Sequence, residues 1–312
     1  MDKNSSIPAR EGGNGVAGPA EGGQRLDAFL TAIFPELGLR GRRRLCSSGR
    51  VRVDGKIVRP GERLRPGQNI SWSQEPLNTP PEGFRLVWAN GGYCAFSKPA
   101  GLPSARLAGG LNGSAEACLE SLWPRLAADF TGYSGQPLPE NAPLLCNRLD
   151  APTSGLLLGA FSRAALQDYR RLELEGRIEK YYYALVWGEA PESLRLEQAL
   201  DTDSRRKTRV LEHKEEDRTR HTLAEKPSSP ATMDFVGHQE PVSLLRTLIR
   251  RGARHQIRAH LTWAGFPIVG DHLYAPDKNP NPEAPLYLHH FRIRFMGMET
   301  ETPLPWEFSQ DC

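Results

Sequence analysis

Asp150 is the acidic residue of this sequence that is most clearly placed for chemistry. It lies in residues 147–155, a segment that contains Pro152, Thr153 and Ser154 and runs directly into an apolar stretch. Loops held by rigid strands commonly carry functional groups, and a carboxylate there can act as a nucleophile or a general base. Taken alone, an aspartate ahead of Thr-Ser-Gly is more often a turn or cap residue. The turn therefore gives a candidate that needs support from the rest of the chain.

Two further groups of residues suggest other chemistry and are weaker. His255 and His260 are five apart, without evident carboxylate or cysteine partners, which does not match the spacing of zinc-binding helices. The sequence therefore predicts no metal site. Asp201 and Asp203 flank Thr202 and raise the alternative of an aspartate-nucleophile phosphatase, but no apolar strand runs directly into them.

Tyr182 and Arg258 each have an ordinary structural interpretation when taken alone. Tyr182 lies in a tyrosine-rich strand, with Tyr181 and Tyr183 expected on the opposite face because side chains alternate along a strand. Arg258 could be a helix-surface arginine. It closes an arginine series without intervening acids, which would favour an RNA-facing surface: Arg246, Arg250, Arg251, Arg254 and Arg258.

The elements that must position these residues mix hairpins and helices. An apolar strand follows Asp150 at residues 155–161, an amphipathic helix covers 162–174, and a helix covers 255–264. Residues 201–230 are dense in charge and predict a protruding loop or mobile hairpin. Such a mixture favours an α+β fold with a mixed sheet over a doubly wound one. The other predicted elements are a hairpin at 86–96, a helix at 114–128 and strands at 180–187 and 244–250.

The positive charge is concentrated near the amino terminus. Residues 40–65 carry +8, whereas the whole chain carries only +3, which leaves −5 for the remainder. Such an excess of positive charge in one segment indicates a polyanionic partner. The alternative is an ordinary charged surface exposed to solvent. Around it, residues 24–34 predict a helix, residues 39–45 an arginine-rich helix, and residues 51–58 a hairpin turning at Asp54-Gly55.

This arrangement of two helices and a tight hairpin, with arginines on the second helix and the strands, resembles the alpha-L RNA-binding domain. The resemblance covers residues 24–72 and implies that guanidinium groups grip RNA phosphates without reading the base sequence. The arginines assigned to RNA in this domain are Arg40, Arg42, Arg43, Arg44, Arg50 and Arg52.

Four ordered segments downstream resemble the pseudouridine synthases that modify large-subunit ribosomal RNA and some tRNAs. Arg148-Leu149-Asp150-Ala151-Pro152-Thr153-Ser154-Gly155 matches that family's Arg-Leu-Asp-x-x-Thr-Ser-Gly signature. The segments beginning at Ser97, Lys180 and Arg254 match in order and approximate spacing, and Leu288-His289 resembles the closing strand. The match covers residues 86–295.

The resemblance implies roles for particular side chains. Asp150 is then the essential catalytic residue, Tyr182 the active-site tyrosine, and Arg258 the basic partner of Asp150. Arg148 becomes a candidate to fill the stack vacated by a flipped uridine, and Arg254 contributes to RNA binding. The reaction is redox-neutral, so no cofactor is expected. Structured RNA is the expected partner, with large-subunit ribosomal RNA first and tRNA second.

Two positions depart from the family pattern. Asn147 stands where histidine is usual, and the third segment reads Gly252-Ala253-Arg254-His255, which moves an arginine along by one. Neither change touches Asp150, Tyr182 or Arg258. The departures nevertheless leave open a second hypothesis, a non-catalytic RNA-binding assembly or regulatory protein on the same scaffold.

Composition and length complete the expectations. The 312 residues predict two domains, and the five scattered cysteines favour a reducing compartment, so we expect a cytoplasmic monomer without membrane attachment. The predicted fold class is α+β, with a small alpha-L domain ahead of a catalytic domain whose mixed, mainly antiparallel sheet is flanked by helices. The predicted divisions are a disordered lead-in at 1–21, the alpha-L domain at 22–75, a linker at 76–84 and the catalytic domain at 85–312.

Overall fold

The fold is taken from a computed structural model. It describes residues 13–35, 37–47, 51–58, 60–72, 80–90, 92–105, 114–130, 138–204, 206–227, 232–233, 241–279 and 284–306. Two compact units result. The first comprises residues 1–82 and 102–128, and the second comprises residues 83–101 and 129–312.

The first unit contains a small antiparallel sheet, two short helices that share its core, a 3₁₀ helix and a third, longer α-helix. The sheet order is β1-β4-β2-β3, and Leu26, Leu30, Leu45 and Ile70 are buried between the sheet and the helices. The described elements of this unit are β1 (Gly13–Val16), a 3₁₀ helix (Pro19–Glu21), α1 (Leu26–Ile33), α2 (Leu39–Ser47), β2 (Val51–Val53), β3 (Lys56–Ile57), β4 (Asn69–Trp72) and α3 (Ala115–Ala128).

The hairpin between β2 and β3 forms where the sequence predicts it. Asp54 and Gly55 both have positive φ, 50° and 76°, as a two-residue turn of this kind requires. Asp54 Oδ1 also accepts from the Asn69 amide at 2.9 Å, which ties the turn to β4. The two helices predicted in this region are likewise confirmed.

Two divisions differ from the prediction. The expected disordered lead-in is wrong for residues 13–21, because Gly13–Val16 pairs antiparallel with Asn69–Trp72. Backbone pairing to β4 orders a glycine-rich segment whose composition alone suggests disorder. Residues 1–12 lie outside the described residues. Helix α3, expected in the catalytic domain, is assigned to the first unit, a division by spatial contact that contiguity along the chain does not reveal.

The second unit is organised around a large sheet. In the described part of the chain it has eleven strands, with the central order β10-β13-β15-β9-β16-β8-β6-β5. Strand β14 pairs with β15, β17 with β16, and β7 with β8, while β11 and β12 form a separate hairpin. The early strands and helix of this unit are β5 (Arg85–Ala89), β6 (Tyr93–Lys98), β7 (Leu144–Leu145), β8 (Ser154–Ala160) and α4 (Arg163–Leu174).

The remaining elements follow in chain order. They are β9 (Glu179–Trp187), β10 (Ser193–Leu196), β11 (Gln198–Asp201), β12 (Arg209–Lys214), a 3₁₀ helix (Arg218–Arg220), β13 (Thr222–Glu225), β14 (Thr232–Met233), β15 (Val242–Ile249), α5 (Gln256–Trp263), a 3₁₀ helix (Pro276–Lys278), β16 (Leu288–Phe295) and β17 (Met298–Glu301).

The predicted α+β class with a mixed, mainly antiparallel sheet is confirmed. Strands β8 and β16 run parallel, whereas β16 is antiparallel to β9 and β8 is antiparallel to β6. Every residue of β8 is buried, as its unbroken apolar sequence predicts for a central strand. Helix α4 covers one face with Tyr169 and Leu172 and begins at Ser162, whose hydroxyl accepts from the Ala165 amide at 3.0 Å.

The prediction of one protruding loop at 201–230 is only partly right. Strand β12 forms the hairpin with β11, but β13 pairs with both β10 and β15 inside the main sheet. Leu223 and Ala224 supply the only apolar pair of that strand, so its buried position follows from pairing rather than from a visible hydrophobic pattern.

Candidate active site

The turn that carries Asp150 lies immediately before β8 and is fixed by backbone contacts. The Thr153 amide donates to the Asp150 carbonyl at 3.1 Å, and the Gly101 amide donates to the Ala151 carbonyl at 2.8 Å. Gly155 has φ of 114°, and a Cβ there would lie 2.2 Å from the His290 carbonyl oxygen. Glycine is therefore required where the turn enters β8 beside β16.

Asp150 is joined to Arg258, as the resemblance implies. Arg258 Nη1 donates to Asp150 Oδ2 at 3.0 Å, and the Arg258 side chain is 6% exposed against 23% for Asp150. Arg258 in turn donates Nε and Nη2 to the two oxygens of the fully buried Asp271, both at 2.8 Å. The Asp271 carboxylate thus fixes the Arg258 guanidinium through two of its nitrogens. The third nitrogen, Nη1, donates to the partly exposed carboxylate of Asp150.

The charge of Arg258 is secured by these two acids. Burial alone would lower the pKa of Arg258, but the hydrogen bonds and charge of Asp271, with the charge of Asp150, raise it above its ordinary value. A permanently cationic guanidinium therefore lies directly against the partly exposed carboxylate of Asp150.

His255 is a second neighbour of Asp150. Its Nε2 lies 3.7 Å from Asp150 Oδ2, and its Nδ1 lies 3.1 Å from the Tyr274 hydroxyl. The residue has φ of 54°, a left-handed conformation that is uncommon outside glycine and often marks a functional site. Burial lowers the pKa of His255, as do the charges of Arg258 and Arg254, while Asp150 opposes them. His255 consequently faces Asp150 as a neutral imidazole at pH 7.

Tyr182 is buried on β9 and stacks on His290 of β16. The ring centroids are 4.5 Å apart with 19° between the ring planes, and the two residues are register partners. Tyr181 and Tyr183 lie on the other face, as predicted, where Tyr183 stacks on Phe291 at 4.1 Å. Burial raises the pKa of Tyr182, and the negative charges of Asp150 and Glu173 raise it further.

Lys98 brings a buried amine to the same turn. Its Nζ donates to the carbonyls of Pro99 and Ala151 at 3.0 and 3.1 Å, and the residue is 1% exposed. Burial lowers the pKa of Lys98 to about 7, against the opposing charge of Asp150. The Ser97-Lys98-Pro99 segment was singled out in the sequence, but its contact with the catalytic turn emerges only from the fold.

The sequence did not identify several other side chains of this site. Asp271, Tyr274 and His290 approach the site from chain positions more than a hundred residues beyond Asp150. Asp271 and Tyr274 lie only 13 and 16 residues after Arg258, but their residue types and spacing do not predict contact with it. Nothing in residue type or spacing indicates that His290 lies against Tyr182.

Asn147, one of the two departures, has a structural role. Its Oδ1 accepts from the Leu158 amide at 2.7 Å, and its Nδ2 donates to the Leu156 carbonyl at 3.4 Å. The side chain therefore fastens the start of the turn to β8. Both bonds lie outside the Asp150–Arg258–Asp271 cluster. At the other departure, the Ala253 amide donates to Gln256 Oε1 at 2.9 Å, beside the first turn of α5.

The arginine series that ends at Arg258 is largely paired with acids from neighbouring strands. Arg246 pairs with Glu225, Arg250 with Glu179 at 2.7 Å, and Arg251 with Asp217 at 3.2 Å. The sequence contains no acid within the series, but the sheet brings acids to it. A free cationic surface along the whole series, as its spacing suggested, is therefore not observed.

Two other predicted RNA-binding arginines of this unit differ in their surroundings. Arg148 is exposed next to Asp150. Arg254 instead donates through Nη2 to the Thr202 carbonyl at 2.7 Å and to the Ser204 carbonyl. Its guanidinium is thus engaged with the β11–β12 connection.

In the first unit, three predicted RNA-binding arginines make internal hydrogen bonds. Arg43 Nε donates to the buried carboxylate of Asp27 at 2.9 Å, and Arg42 Nε donates to the Asp27 carbonyl at 2.9 Å. Arg52 Nη1 donates to the Gly55 carbonyl at 3.0 Å. The hydrogen bond from Arg25 and the pairing with Arg43 lower the pKa of Asp27 to about 2. Arg40 and Arg44 lie on α2 with side chains outside the description, and Arg50 lies outside the described residues.

The other constellations from the sequence do not form sites. His255 faces Asp150, whereas His260 lies 2.8 Å from the Thr222 hydroxyl and 2.9 Å from the Gln198 carbonyl. Within the described ranges, no group of three or more potential ligands could hold a metal ion. Asp201 pairs with Arg209 at 2.6 Å at the base of a hairpin. Across that same part of the chain, no helix has both the length and the apolarity needed to cross a bilayer.

Comparison with known proteins gives two family matches. Residues 92–263 match the RNA pseudouridylate synthase family, and residues 24–70 match the S4 domain. The first match spans more than half of the chain and includes Asp150, Tyr182 and Arg258.

Individual relatives agree with these matches. An uncharacterized RNA pseudouridine synthase of Chloroflexus aurantiacus is 30% identical over 88% of this chain and 82% of its own length. Ribosomal large subunit pseudouridine synthase C of Vibrio vulnificus is 26% identical over 90% of this chain and 88% of its own. Among solved structures, human RNA pseudouridylate synthase domain containing 1 has the same fold, with a TM-score of 0.54, 22% identity and coverage of 74% and 87%.

Proposed function

Because this chain belongs to the RNA pseudouridylate synthase family and is an isomerase that acts on RNA, we propose that it modifies large-subunit ribosomal RNA with Asp150 as its reacting carboxylate. The observation that carries the assignment is the Asp150–Arg258–Asp271 cluster. A carboxylate at the rim of the site is held by a buried guanidinium, which is itself fixed through two hydrogen bonds at 2.8 Å.

The reaction asks for a charged carboxylate near the sugar. The bond between uracil N1 and ribose C1′ breaks, the base turns, and C5 bonds to C1′ while a proton leaves C5 and N1 gains one. Asp150 can attack C1′ as a nucleophile or remove a proton from the neighbouring C2′, and both routes require its ionised form. Arg258 supports that form in either route.

Tyr182 provides a platform for the base. Its ring is fixed from behind by His290, whose Nδ1 donates to the Leu156 carbonyl at 2.7 Å. A flat ring that is held in this way suits stacking on a uracil that has left its helix. The protonated hydroxyl, kept neutral by burial, can orient the base by hydrogen bonding.

Arg148 is proposed to act on the RNA around the target. It is exposed and adjacent to Asp150 in the chain, so its guanidinium can enter the space that the flipped uridine vacates or bind a neighbouring phosphate. The arginines of the S4 domain would add contacts to phosphates of structured RNA at a distance from the reacting nucleotide.

The choice of large-subunit ribosomal RNA follows relatives whose names carry that substrate, including the enzyme from Vibrio vulnificus. Transfer RNA is the second substrate that we propose. We also propose a cytoplasmic location, from the cysteine usage, and a monomer, because no segment of the sequence resembles an obligate interface. The retained Asp150, Tyr182 and Arg258 argue against the alternative of a non-catalytic RNA-binding protein.

Pseudouridine mapping of total RNA from the source organism, with and without this gene, tests the proposal. Loss of one or a few large-subunit sites, restored by the wild-type gene, is the expected result. Loss of a tRNA site would keep the chemistry and replace the substrate. An unchanged map in a strain without a redundant synthase would contradict the proposed function.

A further inference from the structure

The connection between β11 and β12, described at residues 202–204 and 206–208, is polar, exposed except at Thr208, and well anchored. We call it the 202–208 loop; residue 205 lies outside the description. Thr208 is 2% exposed, its amide donates to the Tyr274 hydroxyl at 2.8 Å, and its own hydroxyl donates to the Arg254 carbonyl at 2.8 Å. Arg254 also holds the carbonyls of Thr202 and Ser204.

These anchors connect the loop to the catalytic cluster. The Tyr274 hydroxyl lies 3.1 Å from His255 Nδ1, and His255 lies beside Asp150. The Tyr274 ring also has Arg258 5.3 Å from its centroid and Lys207 4.9 Å from it. Two side chains, Tyr274 and either His255 or Arg258, therefore separate the loop from Asp150.

The exposed charges of the loop are mainly positive. Arg206 and Lys207 are exposed, and neither forms an ion pair with any side chain in the described ranges. Of the nearby acids, Asp201 is paired with Arg209 at 2.6 Å, and Asp203 is exposed with its amide bonded to Asp201. This contrasts with the arginine series of β15, where acids from adjacent strands pair with the cations.

We propose that the 202–208 loop is a phosphate-binding edge of the active site, in which Arg206 and Lys207 bind the RNA backbone beside the target uridine. Arg254 and Tyr274 are positioning residues that hold the loop in place. The proposal rests on the proposed function, because it takes the target uridine to lie at Asp150. Polar loops without apolar contacts are ordinarily mobile, so an anchored one suits a surface that must meet RNA at a fixed distance from the reacting sugar.

The test measures RNA binding and steady-state modification with an in vitro transcript of the source organism's large-subunit ribosomal RNA. Binding is followed at several salt concentrations for wild type and for Arg206→Ala/Lys207→Ala. The slope of log affinity against log salt is negative, and removal of two phosphate-binding cations should reduce its magnitude by roughly one to two units. The apparent KM should rise about tenfold or more, with a smaller change in kcat, since each removed cation weakens RNA binding rather than the chemical step.

A matched control removes the same kind of charge elsewhere. Arg163 is exposed at the start of α4, beyond the far end of β8, which separates it from the Asp150 turn by about 20 Å. Arg163→Ala should therefore keep the wild-type salt slope and KM. A purely structural role for Lys207, capping the Tyr274 ring, would change thermal stability and leave the salt slope unaltered.

Arg254→Lys tests the positioning role while keeping the positive charge. It should lower the salt slope towards that of Arg206→Ala/Lys207→Ala, and adding it to that double variant should cause no further decrease, since all three changes act through one loop. Additive decreases would overturn the positioning role.

Failure of the phosphate-binding loop and failure of the proposed function give different results. If wild-type protein modifies the transcript but Arg206→Ala/Lys207→Ala retains its salt slope and KM, the loop proposal is overturned and the function stands. If wild-type protein binds but modifies no RNA, including total cellular RNA, the proposed function fails. The salt slopes then still report whether the loop binds phosphate.

Discussion

At the scale of single residues, the main feature of the site is the charge compensation among Asp150, Arg258 and Asp271. A carboxylate that must stay ionised in a partly dry pocket needs a cation, and a buried cation needs compensation of its own. Arg258 receives that compensation from Asp271, which also accepts from the amides of Leu273 and Tyr274 at 3.1 and 3.0 Å. Asp271 therefore holds the guanidinium in place, with its remaining nitrogen directed at Asp150.

Replacing Asp271 with Asn should disturb both stability and rate. The variant leaves the positive charge of Arg258 without its buried acid, a change that typically costs about 3–5 kcal/mol in the free energy of unfolding. Pseudouridine formation should also slow, because asparagine has a single amide oxygen and can accept only one of the two hydrogen bonds that aim Arg258 at Asp150. Urea denaturation and single-turnover kinetics measure the two effects.

Asp201→Asn is the matched control for that variant. Asp201 also pairs with an arginine, but Arg209 is 73% exposed, so water screens the pair and the free energy of unfolding should remain nearly unchanged. Equal effects of the two substitutions would show that burial of the Arg258–Asp271 pair does not matter.

Some residues of this site can be predicted from the sequence because they lie in recognisable segments, whereas others are placed only by tertiary contacts. Asp150, Tyr182 and Arg258 lie in segments whose order resembles a known family, so their assignment was possible, and the structure brings Asp150 and Arg258 together. Tyr274 and His290 act through contacts with side chains distant in the chain. Such contacts depend on strand register and helix placement, which local pattern does not determine.

At the scale of elements, three adjacent strands create the site. The Asp150 turn opens β8, Tyr182 lies on β9, and β16 lies between these strands with His290 behind the tyrosine. The close approach of β8 and β16 is possible only because residue 155 is glycine. Periodicity predicted β8 and β9 as strands, but the parallel pairing of β8 with β16 joins segments more than 130 residues apart and could not be predicted from it.

The buried histidine in this layer makes stability dependent on pH. Burial lowers the pKa of His290 to about 3 from the ordinary 6.5, so the unfolded chain takes up a proton more readily than the folded protein. The stability linked to His290 is therefore complete above about pH 6.5 and is lost as the pH falls towards 3. At pH 5 the expected loss is about 2 kcal/mol.

His290→Asn should reduce this loss, because asparagine does not titrate. Urea denaturation at pH 7 and pH 5 would give the free energies of unfolding for both proteins, and the difference between the two pH values should be smaller in the variant. His213→Asn, at an exposed position of β12, should keep the wild-type difference. An unchanged pH difference in His290→Asn would contradict the assignment of His290 as a buried neutral group.

At the scale of the whole molecule, the chain divides electrostatic binding from chemistry. The +8 of residues 40–65 belongs to the S4 domain, whereas Asp150 and its partners belong to the second unit. Charge distribution predicted the basic domain, because clustering of like charges is visible in the sequence. The assignment of α3 to the first unit was not predictable, since it depends on spatial contact between segments that are not contiguous.

Arg40→Gln/Arg44→Gln should weaken RNA binding mainly through its salt dependence. With two fewer arginines bound to phosphates, RNA binding releases fewer counterions. The negative slope of log affinity against log salt should therefore decrease in magnitude by about two units. Filter binding over a salt series measures it. Arg163→Gln/Arg170→Gln removes two exposed arginines of α4 and should leave the slope unchanged. An equal fall in both variants would indicate that total charge, rather than the S4 domain, governs binding.

The central claim is that Asp150 reacts with the target uridine, and Asp150→Asn tests it most directly. Single-turnover pseudouridine formation would be measured on the ribosomal RNA site identified by mapping, together with RNA affinity and thermal stability. We expect no detectable product from a folded variant that binds RNA about as tightly as wild type, since asparagine keeps the shape of the side chain but cannot act as nucleophile or base. Product formation at a rate near that of wild type would contradict the assignment.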